Sequence, residues 1–120
     1  MDVNYKKAFE WYEKAAEQGN AGAQCNLGFT YQHGRGVDVN YKKAIEWYEK
    51  AAEQGDAMAQ YTVGVMWEFG QGVDQSSSMA MRWYAKAAAQ GFEGAQARID
   101  AILAKCRASS AAAAAEKKGK

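Results

Sequence analysis

AQCNLGFTYQHGRGVDVNYKKAIEWYEKAAEQG, residues 23–55, and AQYTVGVMWEFGQGVDQSSSMAMRWYAKAAAQG, residues 59–91, are two copies of one pattern. Trp47 and Trp83 stand 36 residues apart, and so do Tyr48 and Tyr84, Gly55 and Gly91, and Ala44 and Ala80. The same step carries upstream to Trp11, Tyr12, Gly19 and Ala8. Residues 2–19 match 38–55 at 17 of 18 positions, Phe9 replacing Ile45, so a second copy of the latter half-unit opens the chain. Self-similarity at a fixed step of this length is the mark of a repeat architecture, in which each unit buries its apolar face only against its neighbours.

Each half-unit reads as a helix. Tyr41, Ala44, Ile45, Trp47, Tyr48, Ala51 and Ala52 recur at three- and four-residue steps, which lays them along one apolar stripe. Asn40 and Ser76 are expected N-caps, and Gly19, Gly55 and Gly91 stand where a helix ends in a left-handed residue. Lys42, Glu46 and Lys50 form the outward, solvated face. In the other half-unit, Gly28 and Gly64 sit in mid-helix, where glycine costs about 1 kcal/mol relative to alanine. Their recurrence predicts a close approach by the partner helix. Gly34-Arg35-Gly36-Val37 and Gly70-Gln71-Gly72-Val73 read as the turns between the two helices. No strand precedes them and no lysine follows in the manner of a phosphate-binding loop.

Composition narrows the function classes. Fifteen basic residues balance fourteen acidic ones within 120, which removes the general electrostatic reason to expect a nucleic-acid or membrane-surface binder. No apolar run approaches the roughly twenty residues needed to cross a bilayer, and no secretory leader is visible, so a cytoplasmic location is the default expectation. The absence of proline suits a chain made of helices and glycine turns. Two cysteines, Cys25 and Cys106, stand at unrelated repeat positions and read as free thiols, with no metal-binding spacing. His33 is the single histidine, with no nucleophile or orienting group at motif spacing, so no catalytic residue is nominated and no cofactor or metal is expected.

The two copies resemble the Sel-one-like repeat, a branch of the tetratricopeptide-like solenoids. The match is to Ala-x-Ala-x-x-x-Leu-Gly-x-x-Tyr, then Gly-x-Gly-Val, then Lys-Ala-x-x-Trp-Tyr-x-Lys-Ala-Ala-x-x-Gly, over roughly residues 2–96. The step of 36 and the Gly-x-Gly turn separate it from the 34-residue tetratricopeptide unit. The resemblance implies an all-α, right-handed α/α solenoid of antiparallel helix pairs. It also implies a non-enzymatic interaction module acting as an adaptor or scaffold. Asp38 and Asp74 stand where the family often has proline, and Asp100 stands where Gly28 and Gly64 predict a third glycine. Cysteine-rich bacterial members are associated with penicillin binding and β-lactam hydrolysis. They carry paired cysteines in each repeat, which this chain lacks, so that activity is not carried over.

One repeat domain is expected over 1–107, divided as a half repeat at 1–19, full repeats at 20–55 and 56–91, and a capping helix at 92–107. Residues 108–120, rich in alanine and lysine, are expected as a helical extension or as disorder. In such a solenoid the first helix of each unit lines the concave side. Its inner face is expected to carry Cys25, Phe29, Gln32 and His33 in the first full unit, and Met58, Tyr61, Val65, Glu68 and Phe69 in the second. Aromatic residues and methionine are unusual on a solvated face and enriched at interfaces, so a protein or peptide ligand is expected there. The competing expectation is that these side chains pack on each other or on the terminal helix. The alternative function is a structural piece of a longer array that forms homo-oligomers through Phe9, Trp11 and Tyr12 of the opening half-unit.

Overall fold

Five side-chain caps set the helix starts. Asn4, Asn20, Asn40, Asp56 and Ser76 each accept a hydrogen bond from the backbone N–H three residues on, which satisfies a donor that the first helical turn leaves free. The computed structural model describes residues 4–118. Among them are six helices and no strand: α1 (Tyr5–Glu17), α2 (Ala21–His33), α3 (Tyr41–Glu53), α4 (Ala57–Phe69), α5 (Ser77–Ala89) and α6 (Ala95–Lys118). Each helix packs on the next in sequence, giving an elongated body of 64 × 29 × 26 Å. This is an α/α solenoid, with α2–α3 and α4–α5 as its two complete helix pairs.

The mid-helix glycines are explained by what faces them. A Cβ built on Gly28 would lie 2.9 Å from the Tyr48 ring, and one on Gly64 would lie 2.6 Å from the Tyr84 ring. Within each pair the aromatic ring of the second helix lies flat against bare backbone of the first. The hydroxyls of those rings are also paired: Tyr48 donates to Gln32 Oε1 at 3.0 Å, and Tyr84 to Glu68 Oε1 at 2.6 Å. Asp100, at the third such position, is exposed and accepts a hydrogen bond from Gln96 instead of receiving a ring.

Successive units are held by a different device. Gly72 adopts φ +77°, and a Cβ there would come within 2.5 Å of the Tyr41 carbonyl oxygen, so this turn rests directly on the start of α3. Deeper in, Gln24 and Gln60 are buried and donate to the carbonyls of Ala16 and Ala52. Each in turn accepts from the glutamine that closes its own unit, Gln54 and Gln90 respectively. Buried amides that are fully paired fix one register between neighbours, because any slip would leave them unsatisfied.

The apolar core runs through the stack. Ala16, Ala23 and Leu27 join α1 to α2; Ile45, Tyr48, Val63, Met66 and Trp83 fill the middle; Ala80, Tyr84 and Ile102 join α4, α5 and α6. The boundary expected between residues 107 and 108 falls inside α6, which continues as helix to Lys118. Residues 1–3 of the expected half repeat, and 119 and 120 of the expected tail, lie outside the described residues.

Candidate protein-binding groove

α2 and α4 supply the inner-face side chains, and the structure divides the nine expected residues into three groups. Four are open to solvent: Phe29 at 40% exposure, Met58 at 52%, Phe69 at 61%, and His33, whose ring lies tilted against Phe29 with centroids 4.2 Å apart. Four are half-buried: Gln32, Tyr61, Val65 and Glu68. One departs from the expected placement. Cys25 is only 4% exposed and belongs to the central core cluster.

Cys25 is covered by core side chains of both α3 and α4. Burial pushes its thiol up to about 12, with the Asp56 carboxylate at the head of α4 adding to the shift. The helix periodicity that placed Cys25 on the inner face says nothing of what the following helix covers. Cys25 therefore contributes packing, as a small apolar side chain, and the groove is lined without it.

Gln32 is half-buried between Tyr48, whose hydroxyl it accepts from, and Gln71, whereas the other three are covered by α6. Tyr61 and Val65 pack in the cluster that contains Ile99 and Ile102. Tyr61 also lies against the rings of Tyr84 and Phe92, at 5.4 and 5.1 Å between centroids. Glu68 is gripped by the Arg98 guanidinium, whose Nε donates to Oε1 at 3.1 Å and whose terminal nitrogen pairs with Oε2. The Phe69 ring lies 5.7 Å from the Arg98 guanidinium carbon. This face is thus divided between covered and open side chains. α6 covers Tyr61, Val65 and Glu68, whereas Phe29, His33, Met58 and Phe69 remain accessible.

Three cationic side chains at this face were not singled out from sequence. Arg98 occupies the repeat position of Asn26 and Thr62, so the period gave no reason to expect a charge. Arg35 stands between two turn glycines, yet its guanidinium carbon sits 4.9 Å from the Phe29 ring centroid and 5.6 Å from that of Tyr5. Lys105, with Glu68, Phe69 and Ile102, borders a depression of about 420 Å³ between α4 and α6. Cations over ring faces are attracted by the ring quadrupole, which fixes where the charge stands.

On α1, the three residues expected to mediate self-association are not alike. Phe9 and Tyr12 are half-buried in the α1–α2 cluster, Phe9 edge-on to Tyr31 at 5.6 Å. Trp11 is 73% exposed, whereas Trp83, at the same repeat position, is 9% exposed. Among the described residues no three His, Cys, Asp or Glu side chains gather as a metal site, and no helix is long and apolar enough to cross a membrane.

Comparison with known proteins agrees with this architecture. The family model described as Sel1 repeat matches residues 1–20, 21–56 and 57–92, one residue out of phase with the divisions read from sequence. A Sel1 repeat protein from Oxalobacter formigenes has a solved structure similar to this one, with a TM-score of 0.79 and 42% identity, over 82% of this chain and 41% of that one. A second similar structure is c5321, a protective antigen of uropathogenic Escherichia coli strains with an SLR fold. Its TM-score is 0.72 and its identity 44%, over 72% of this chain and 19% of that one. The cysteine-rich protein B of Helicobacter pylori is similar at a TM-score of 0.75 and 28% identity, covering 79% of this chain and 71% of that one. The chain thus spans less than half the length of the first two. No curated protein matches the sequence.

Proposed function

The chain belongs to the Sel1 repeat family, whose members are in general protein–protein interaction modules, and on that premise we propose that it is a non-enzymatic adaptor binding a partner peptide along its concave face. The observation that supports this most is the exposure of Phe29, Met58 and Phe69 on one face of consecutive first helices. Leaving large apolar side chains in water forgoes about 1.5–3 kcal/mol for each one that could be buried. Such a set on a concave surface has the composition of an interface core. An extended or helical peptide fits the long axis of this face.

The test is a paired measurement on Phe29→Ala and Phe69→Ala. Peptides are first selected against the unaltered chain, and the affinity of the best one is then measured on each variant beside its melting temperature. Affinity is expected to fall by about tenfold or more in each, the loss typical of an aromatic anchor, while melting stays within a few degrees because both rings are already solvent-facing. Unchanged affinity would remove the groove as the binding surface.

The exposure of Trp11 favours one further reading, self-association through α1. A concentration-dependent dimer in sedimentation that dissociates on Trp11→Ser would support it; a monomer at all concentrations would end it.

A further inference from the structure

We propose that the segment held in this groove is acidic, a stretch of a partner protein that sets carboxylates beside apolar side chains; the proposal rests on the groove being a protein-binding face. Two places along the face support it. Beside α2, Arg35 is held over the Phe29 and Tyr5 rings, and Phe29 is itself backed by His33. Beside α6, Lys105 and Phe69 border the same depression. Each place brings an exposed phenyl ring and a cation to the edge of one depression.

Among the described residues neither cation has its charge met by a carboxylate. Among the described residues the only ion pair is Arg98 with Glu68, so Arg35 and Lys105 have no carboxylate in reach. Glu68 is the one acidic residue among the inner-face positions, and both its oxygens are engaged, by Arg98 and by the Tyr84 hydroxyl. Arg35 and Lys105 thus set positive charge beside the exposed rings, and the one acidic residue of the inner-face positions, Glu68, is already engaged.

Such a surface discriminates by charge. A guanidinium resting on a ring keeps its N–H edge open, and that edge matches a carboxylate with two parallel hydrogen bonds. A lysine ammonium adds an unoriented point charge. An incoming acidic side chain gains these contacts while its apolar neighbour covers Phe29 or Phe69. A basic segment would meet like charge at both places. The chain's own terminal stretch, EKKGK at 116–120, is net basic and does not complement the groove, which favours a foreign segment over another copy's tail.

The probe is a fluorescein-labelled peptide alternating leucine with glutamate, compared by fluorescence anisotropy with leucine–lysine, serine–glutamate and leucine–serine versions. The leucine–glutamate peptide is expected to bind best, with each of the others weaker by about tenfold or more. Arg35→Ala and Lys105→Ala should each weaken it about three- to tenfold and flatten its salt dependence, with Arg35→Lys intermediate. Circular dichroism of these variants should be unchanged, since both residues are at the surface. The proposal is overturned if leucine–lysine binds as well, or if both alanine variants keep full affinity. Equal binding of leucine–serine that Phe69→Ala abolishes would leave the groove in place and remove the acidic assignment. If none of the four peptides binds, the groove reading falls together with this one.

Discussion

Tyr84→Ala is expected to lower the stability of the chain by about 3–5 kcal/mol, the range for deleting a buried aromatic side chain. Tyr84 has no solvent exposure, lies on the bare backbone at Gly64, and anchors Glu68 through its hydroxyl. Removing the ring opens a cavity at the crossing of α4 and α5. It also loosens the carboxylate that Arg98 uses to tie α6 down. In a solenoid, stability is local to neighbouring units. The α4–α6 end should therefore melt first, leaving α1–α3 to follow in a second step. Circular dichroism against temperature would show that division, and limited trypsin digestion would cut at Arg98 and Lys105 well below the main transition. A single melt unchanged from the parent would show that the ring is not the keystone of the pair.

Gly64→Leu attacks the same contact from the opposite side. Even the first carbon of the new side chain would lie 2.6 Å from the Tyr84 ring, closer than atoms tolerate, and the buried ring has no open space to enter. Leucine recovers about 1 kcal/mol of helix propensity over glycine, but overpacking of this kind costs about 1–3 kcal/mol and at times more. The clash should win, with a net loss near the upper part of that range. At about 4–8 °C per kcal/mol for a domain of this size, the melting temperature should drop by a readily measured amount. Because the two residues touch, the effects should not add. Gly64→Leu placed on Tyr84→Ala should cost less than it does alone, since the missing ring leaves room. An unchanged melting temperature for Gly64→Leu would rule out the close crossing.

That crossing was legible in the sequence, since a glycine repeating in mid-helix has few uses other than letting something near. The period, the helix pairs and the side-chain caps at Asn40 and Ser76 were legible for the same reason: each follows from local chemistry repeated at a fixed step. The inner face was legible only within each helix. Phe29, His33, Met58 and Phe69, which periodicity grouped on one face, are exposed, with the Arg35 and Arg98 guanidiniums reaching the two phenyl rings from other elements. Periodicity failed for Cys25, because the cover comes from core side chains of α3 and α4, a relation between helices. Tyr61, Val65 and Glu68 are half-closed for a similar reason. Their cover depends on how α6 lies, which the Arg98–Glu68 pair helps to set, and Arg98 has no counterpart in the other units. Arg35 was hidden by its position in a turn, where the glycines on either side drew the reading toward backbone geometry.

The picture that results is a short solenoid whose stacking is fixed by rings on bare backbone and by paired glutamines, with part of the face carried by α2 and α4 left uncovered. A partner peptide lying along this uncovered part is the proposed mode of binding. It is tested most directly by an NMR titration of the isotope-labelled chain with a peptide selected against it. The prediction is that the aromatic and methyl signals of Phe29, His33, Met58 and Phe69 shift with peptide while those of Trp47 and Ile45 do not. Shifts centred instead on Trp11 and the outer surface of α1, with the four groove residues silent, would contradict it.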